Sequence, residues 1–174
     1  MLSVHLVGCN GAGVSGDMKK LIIMGVSGAG KSTLGLALAT ALGWEFLDAD
    51  DFHTNAAKAK IAGGQTLDEI DRAGWLAAIS PALNTPPNSK VLACSALKAT
   101  HRDSLNPDFL VYLDITPDLA MTRLTQRSDH FAGPSIAPSQ FATLEVPTYA
   151  IHGPADWPTQ AQVQFVLDQM DCKI

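Results

Sequence analysis

Apolar residues alternate between two arrangements along this chain. Short apolar runs at 21–24, 45–47, 91–94 and 109–113 read as strands, with a fainter fifth at 147–151. Between them lie longer stretches whose apolar positions fall three or four apart, the spacing of one helix face. The first, about 31–42, aligns Leu34, Leu38, Ala41 and Leu42 and ends at Gly43, a capping position. A second begins at Thr66, where Thr66-x-x-Glu69 spells a capping box, and runs through Ile70, Trp75, Leu76 and Ile79 to a stop or kink at Pro81. A third takes Ser95 as its cap and carries Lys98 and Arg102. A fourth opens at Thr116-Pro117-Asp118 and ends near Arg123 and Arg127. A brief helix is expected at 140–144, and a last one at 159–170 with Val163, Val166, Leu167 and Met170 on one face. Pro86-Pro87 marks a surface loop, and the polar, Gly/Pro-punctuated 128–138 reads as a mobile flap. Strands alternating with helices predict an α/β fold: a five-stranded parallel sheet between two helical layers, joined by right-handed crossovers.

The junction of the first strand and first helix carries the chemistry. Gly25-Val26-Ser27-Gly28-Ala29-Gly30-Lys31-Ser32 matches the phosphate-loop pattern at every fixed position, with Thr33 next in the helix. Glycines let the loop turn its N–H groups toward phosphate oxygens, and the helix start adds free amides and a positive dipole end. Lys31 then reaches the outer phosphates and Ser32 ligates Mg²⁺. This makes the chain a P-loop NTPase with ATP and Mg²⁺ as expected ligands, and the flap, about 125–140, its mobile lid. A second glycine pattern, Gly11 to Gly16, spells a dinucleotide fingerprint but lacks a helix after it, so residues 1–18 are read as a flexible extension before a single domain, 19–174.

The second strand ends in Asp48-Ala49-Asp50-Asp51. Ligands in open parallel sheets lie beyond the carboxyl ends of strands, which places these acids beside the phosphate loop. An Asp there holds Mg²⁺ through water or accepts a proton from a substrate hydroxyl. Lys98 and Arg102, four apart, would share a helix face; either an anion lies between them or the face is simply solvated.

Charge and cysteine usage narrow the classes. A net charge of −5 excludes wholesale nucleic-acid binding, so an anionic ligand needs a local cluster of cations. Three cysteines, at positions 9, 94 and 172, point to reduced thiols and a cytoplasmic protein, with Cys94 packing as a small apolar residue. No apolar run approaches the ~20 residues of a membrane span.

With these motifs placed, the chain resembles the small phosphate-loop gluconokinases, relatives of shikimate and adenylate kinases, over about residues 20–150. The resemblance rests on Met24 to Ser32, on Asp50-Asp51-Phe52-His53, on Leu67 with Asp71-Arg72 and Trp75-Leu76, and on Ala93-Cys-Ser-Ala-Leu-Lys98 with Arg102-Asp103. His130-Phe131 and Ser139-Gln-Phe-Ala-Thr-Leu-Glu145 with Pro147 complete it. Thr54, Thr66 and Gly74 stand where the family usually has Pro, and Ala57 where it has Asn.

The resemblance implies phosphorylation of D-gluconate by ATP to 6-phospho-D-gluconate, in a cytoplasmic enzyme and a homodimer. It implies that Asp48 supports the metal with Ser32, and that Asp50 orients the 6-hydroxyl and takes its proton. Arg72, Lys98 and Arg102 would bind the carboxylate, with His53 and His130 on the polyol. Arg127, with Arg123, would neutralise the transferring phosphoryl. The alternatives are another small-molecule kinase of this fold, against which the absence of a Phe-Arg-x-x-Glu stretch counts for shikimate, and a nucleotide-binding switch without acceptor turnover.

Overall fold

The computed structural model describes residues 18–126 and 134–172. Most of the expected N-terminal extension therefore lies outside the described residues, as do Arg127, His130 and Phe131.

The alternation of the sequence becomes a five-stranded parallel sheet in the order β2-β3-β1-β4-β5. The strands are β1 (Lys20–Met24), β2 (Glu45–Asp48), β3 (Lys90–Ala93), β4 (Phe109–Asp114) and β5 (Ile151–Pro154). Central β1 is a continuous apolar run because both its faces are covered, and Leu21 to Met24 have no exposed surface. On one face pack α1 (Lys31–Leu42) and α7 (Thr159–Asp171), through Leu34, Leu38, Val166 and Met170. On the other pack α3 (Glu69–Leu83), through Trp75, Ile79 and Leu83, and α4 (Ala99–Leu105), through Leu105. The remaining helices are α2 (Asn55–Ala62), α5 (Pro117–Gln126) and α6 (Ala137–Thr143). The three-layer expectation holds.

Several boundaries depart from the sequence reading. The helix expected at Thr66 starts at Glu69, because Asp68 is the cap: its carboxylate accepts the Asp71 amide while Asp71 reaches back to the Asp68 amide. The reciprocal box between two acids displaces the Thr66 box. Pro81 does not stop this helix. It lies in the last turn, and burial of Leu83 carries the helix two residues further. Ile70 faces solvent, 84% exposed, instead of joining the Trp75 face.

Ser95 caps nothing. Lys98, in extended conformation, is the residue before α4. The last strand lies at Ile151–Pro154, later than the 147–151 expected, and α6 begins at Ala137 instead of 140. Helix α2 was not anticipated. Thr54 caps it, its hydroxyl accepting the Ala57 amide at 3.1 Å, and only Ala57 and Ile61 are buried in it.

One buried hydrogen bond ties the second helical layer to the acidic turn. The Trp75 indole N–H donates to the Ala49 carbonyl at 2.7 Å. Trp75→Phe keeps most of the apolar bulk but leaves that carbonyl unpaired, at a cost of about 1–3 kcal/mol. A urea unfolding curve with an unchanged midpoint would show that this bond does not hold the turn.

Candidate active site

The phosphate loop owes its shape to glycines at positive φ. Gly28 (φ 86°) lies so close to α5 that an added Cβ would meet the Ala120 carbonyl oxygen at 2.9 Å. Gly30 (φ 97°) is the N-cap of α1 and brings no side-chain cap, so the first-turn amides of α1, around Ser32 and exposed Thr33, take no bond from it. Val26 and Ala29 are buried, and the Val26 carbonyl accepts both the Ala29 amide and the Lys31 ammonium, the latter at 3.1 Å. Gly25 (φ 147°) makes the exit from β1.

Two side chains from distant elements brace the loop. Arg123 of α5 donates through Nη1 to the carbonyls of Gly28 (3.3 Å) and Ala29 (3.4 Å), and through Nη2 to Ala155 at 2.8 Å. Gln140 of α6 accepts the Ser27 amide at 2.6 Å through Oε1. Sequence reasoning quoted Gln140 within a motif but gave it no role.

Asp48 joins this loop to the acidic turn. Its Oδ2 accepts the Ser32 hydroxyl at 2.5 Å, and its Oδ1 accepts the Asp50 amide at 3.0 Å, capping the 3₁₀ turn Ala49–Phe52. Ser32 and Asp48 are hard oxygen donors already in contact, which suits Mg²⁺, a cation that takes one or two protein ligands and completes its shell with phosphates and water. No cluster of three or more His, Cys, Asp or Glu side chains suited to a metal occurs among the described residues.

Beyond the loop opens a cavity lined by Lys31, Asp50, His53, Arg72, His101 and Gln140, among others. The His53 ring is stacked on Trp75, centroids 4.7 Å apart and planes within 10°, and its Nε2 lies 3.9 Å from Asp50 Oδ1. Burial lowers the His53 pKa and Lys58 lowers it further, while the Asp50 carboxylate opposes them. Cys94 lies beneath, its thiol pushed up to about 12 chiefly by burial; it is a packing residue, not a nucleophile.

The cation cluster is rearranged. Lys98 and Arg102 do not share a face, because Lys98 precedes the helix. Lys98 donates to Glu69 Oε1 at 2.5 Å, and Arg72 reaches the same oxygen at 3.5 Å. Hydrogen bonding from Lys98 lowers the Glu69 pKa. Arg102 is 97% buried: its Nη1 donates to the Ala96 and Leu97 carbonyls, both at 3.1 Å, and its Nε to the Tyr149 hydroxyl at 3.4 Å. It supports the loop before α4, where Ala96 is held at positive φ (41°). Arg72, not Arg102, is the guanidinium at the cavity. Glu145, after α6, completes this loop: its amide donates to the Leu97 carbonyl at 2.9 Å and its carboxylate accepts the Ala99 amide at 2.6 Å. His101 also lines the cavity and was not anticipated; nothing in its spacing separates it from an ordinary core histidine.

Comparison with known proteins places the chain in a family. The shikimate kinase family profile matches residues 27–145. The gluconokinase of Gluconobacter oxydans is 43% identical over 134 residues, covering 73% of this chain and 75% of that protein. A probable gluconokinase of Mus musculus is 41% identical over 155 residues, covering 74% and 83%. The crystal structure of a gluconokinase from Sinorhizobium meliloti superposes with a TM-score of 0.79 at 32% identity, covering 88% of this chain and 91% of that one. At 41–43% identity to these gluconokinases over 73–74% of its length, the chain belongs to the gluconokinase family of ATP-dependent P-loop kinases.

Proposed function

We propose that this chain transfers the γ-phosphoryl group of ATP to the 6-hydroxyl of D-gluconate, giving ADP and 6-phospho-D-gluconate. The observation that carries the reading is the convergence of Lys31, Asp50 and Arg72 on one cavity. A donor-side cation, an acceptor-side carboxylate and a carboxylate-binding guanidinium are what such a transfer requires.

Phosphoryl transfer depends on alignment and on neutralising charge more than on covalent help from the protein. The loop Gly25–Ser32 cradles the β- and γ-phosphates, and Lys31 leaves the Val26 carbonyl for the outer oxygens. Ser32 and Asp48 would hold Mg²⁺, which when bound offsets phosphate charge. Asp50 orients the acceptor hydroxyl and takes its proton. Arg72 binds the sugar-acid carboxylate; its contact to Glu69 is long, so a second carboxylate competes for the fork. His53 bonds the polyol. Lys98, held by Glu69, adds positive potential from one step away. Arg127 and His130 are assigned to the transferring phosphoryl and the polyol on the family resemblance. A cytoplasmic homodimer belongs to the same reading; among the described residues no helix is long and apolar enough to cross a membrane.

The test is ADP release with gluconate as acceptor, beside shikimate and other aldonic acids. Gluconate should give the highest kcat/KM; ADP release only with shikimate, or with none, overturns the reading. Asp50→Asn should lower kcat by at least ~10²-fold with ATP affinity retained, as expected when a general base is removed. Near-normal turnover removes Asp50 from the chemistry. Arg72→Ala should raise the gluconate KM at least ~10-fold, the loss of a charge-assisted hydrogen bond, with the ATP KM little changed. A change confined to ATP would instead place Arg72 in the nucleotide site.

A further inference from the structure

His101 occupies the middle of α4 with only 7% of its surface exposed, on the wall of the cavity that also holds Asp50 and Arg72. Its Nε2 is fully buried and has no hydrogen-bond partner among the described residues. Native structures rarely leave a buried ring nitrogen unsatisfied, and such groups gather where something other than the chain completes them. Packing alone would be served as well by an apolar ring. The ring borders the cavity, so a turn of the side chain on binding, rather than the resting rotamer, would bring Nε2 to a ligand held there.

The surroundings restrict what that partner is. Four charged groups act on the ring: Arg72 and Glu69 from α3, Lys98 from the loop before α4, and Glu145 from the segment after α6. Burial and the two cations hold the imidazole below its ordinary pKa, against the pull of the two carboxylates. A neutral imidazole does not pair with a carboxylate as an ion. It does match a hydroxyl, which gives or accepts a hydrogen bond as the tautomer requires.

We propose that His101 is a specificity residue of the acceptor site, its Nε2 hydrogen-bonding one hydroxyl of the sugar acid near the carboxylate end that Arg72 binds. The assignment rests on the gluconokinase reading and adds a discriminating contact to it. A site built to bond a hydroxyl rejects the analogue that lacks it, because the buried polar atom is then left unpaired. His101 therefore selects polyhydroxylated acids over their deoxy counterparts.

The experiment compares the full-length wild type with His101→Phe and His101→Gln, using gluconate and its 2-deoxy and 3-deoxy analogues in an ADP-release assay. The wild type should disfavour the analogue lacking the contacted hydroxyl about tenfold, the worth of one hydrogen bond. His101→Phe should raise the gluconate KM about tenfold, leave the ATP KM within about twofold, and lose the discrimination between gluconate and that analogue. His101→Gln, whose amide reaches toward the Nε2 position, should recover part of both. Should His101→Phe fail to fold, His101→Asn, polar but ending short of Nε2, carries the same comparison. Unchanged discrimination in the folded variant overturns the proposal, as does an equal rise in both KM values, which would mark a structural role. Absence of turnover by the wild type with any of the acids overturns the gluconokinase reading itself, and this assignment with it.

Discussion

One carboxylate keeps the donor and acceptor halves of this site in register. The strand order places β3 between β1, which feeds the phosphate loop, and β2, which ends in the acidic turn. No ladder hydrogen bond joins the two strands directly. Asp48 spans the gap, with Ser32 on one oxygen and the Asp50 amide on the other. The bridge requires α1 to lie close over the sheet, and Gly35, one turn beyond Ser32, permits it: a Cβ there would meet the Phe46 ring at 2.7 Å. The small residues Ala93, Cys94 and Ala96, all buried, close the end of β3 beneath the bridge. Sequence, packing and chemistry thus meet in the distance between one helix and one edge strand.

An overall acidic protein must build a binding site for anions from few cations, and much of its positive charge does structural work. Arg123 binds three main-chain carbonyls around the phosphate loop, and Arg102 binds two behind the acceptor loop. Each guanidinium offers several fixed donors and replaces the secondary-structure bonds that irregular backbone lacks. Among the described residues, Lys31 and Arg72 are the lysine and the arginine that line the cavity. In a protein of net charge −5, two arginines are thus spent on main-chain carbonyls while Lys31 and Arg72 stand on the cavity wall beside Asp50.

The features legible in the sequence were those fixed by local backbone demands. The phosphate loop, the Gly43 cap and the apolar runs of β1, β3 and β4 each state their structure within a few residues. Where two local signals competed, sequence could not rank them: Thr66 and Asp68 both precede an acid by three positions, and Asp68 prevails because Asp71 also answers its amide. Helix α2 escaped notice because Ala57 and Ile61 alone point inward, too few to make a periodic face. The spacing of Lys98 and Arg102 implied a shared face only if both were helical, and the chain is extended at Lys98. His101 and Gln140 were silent for a different reason. Their roles depend on elements more than twenty residues away in the chain, and neither breaks the pattern of its own helix.

The segment from Gln140 to Glu145 has a consequence for how the two ligands sense each other. One end holds the Ser27 amide of the phosphate loop, and the other is stitched to Leu97 and Ala99 at the floor of the acceptor cavity. One short segment is thus bonded to both sites. Strain placed on it by nucleotide would change the affinity for the acid, and linkage would then require the acid to alter nucleotide affinity by the same factor.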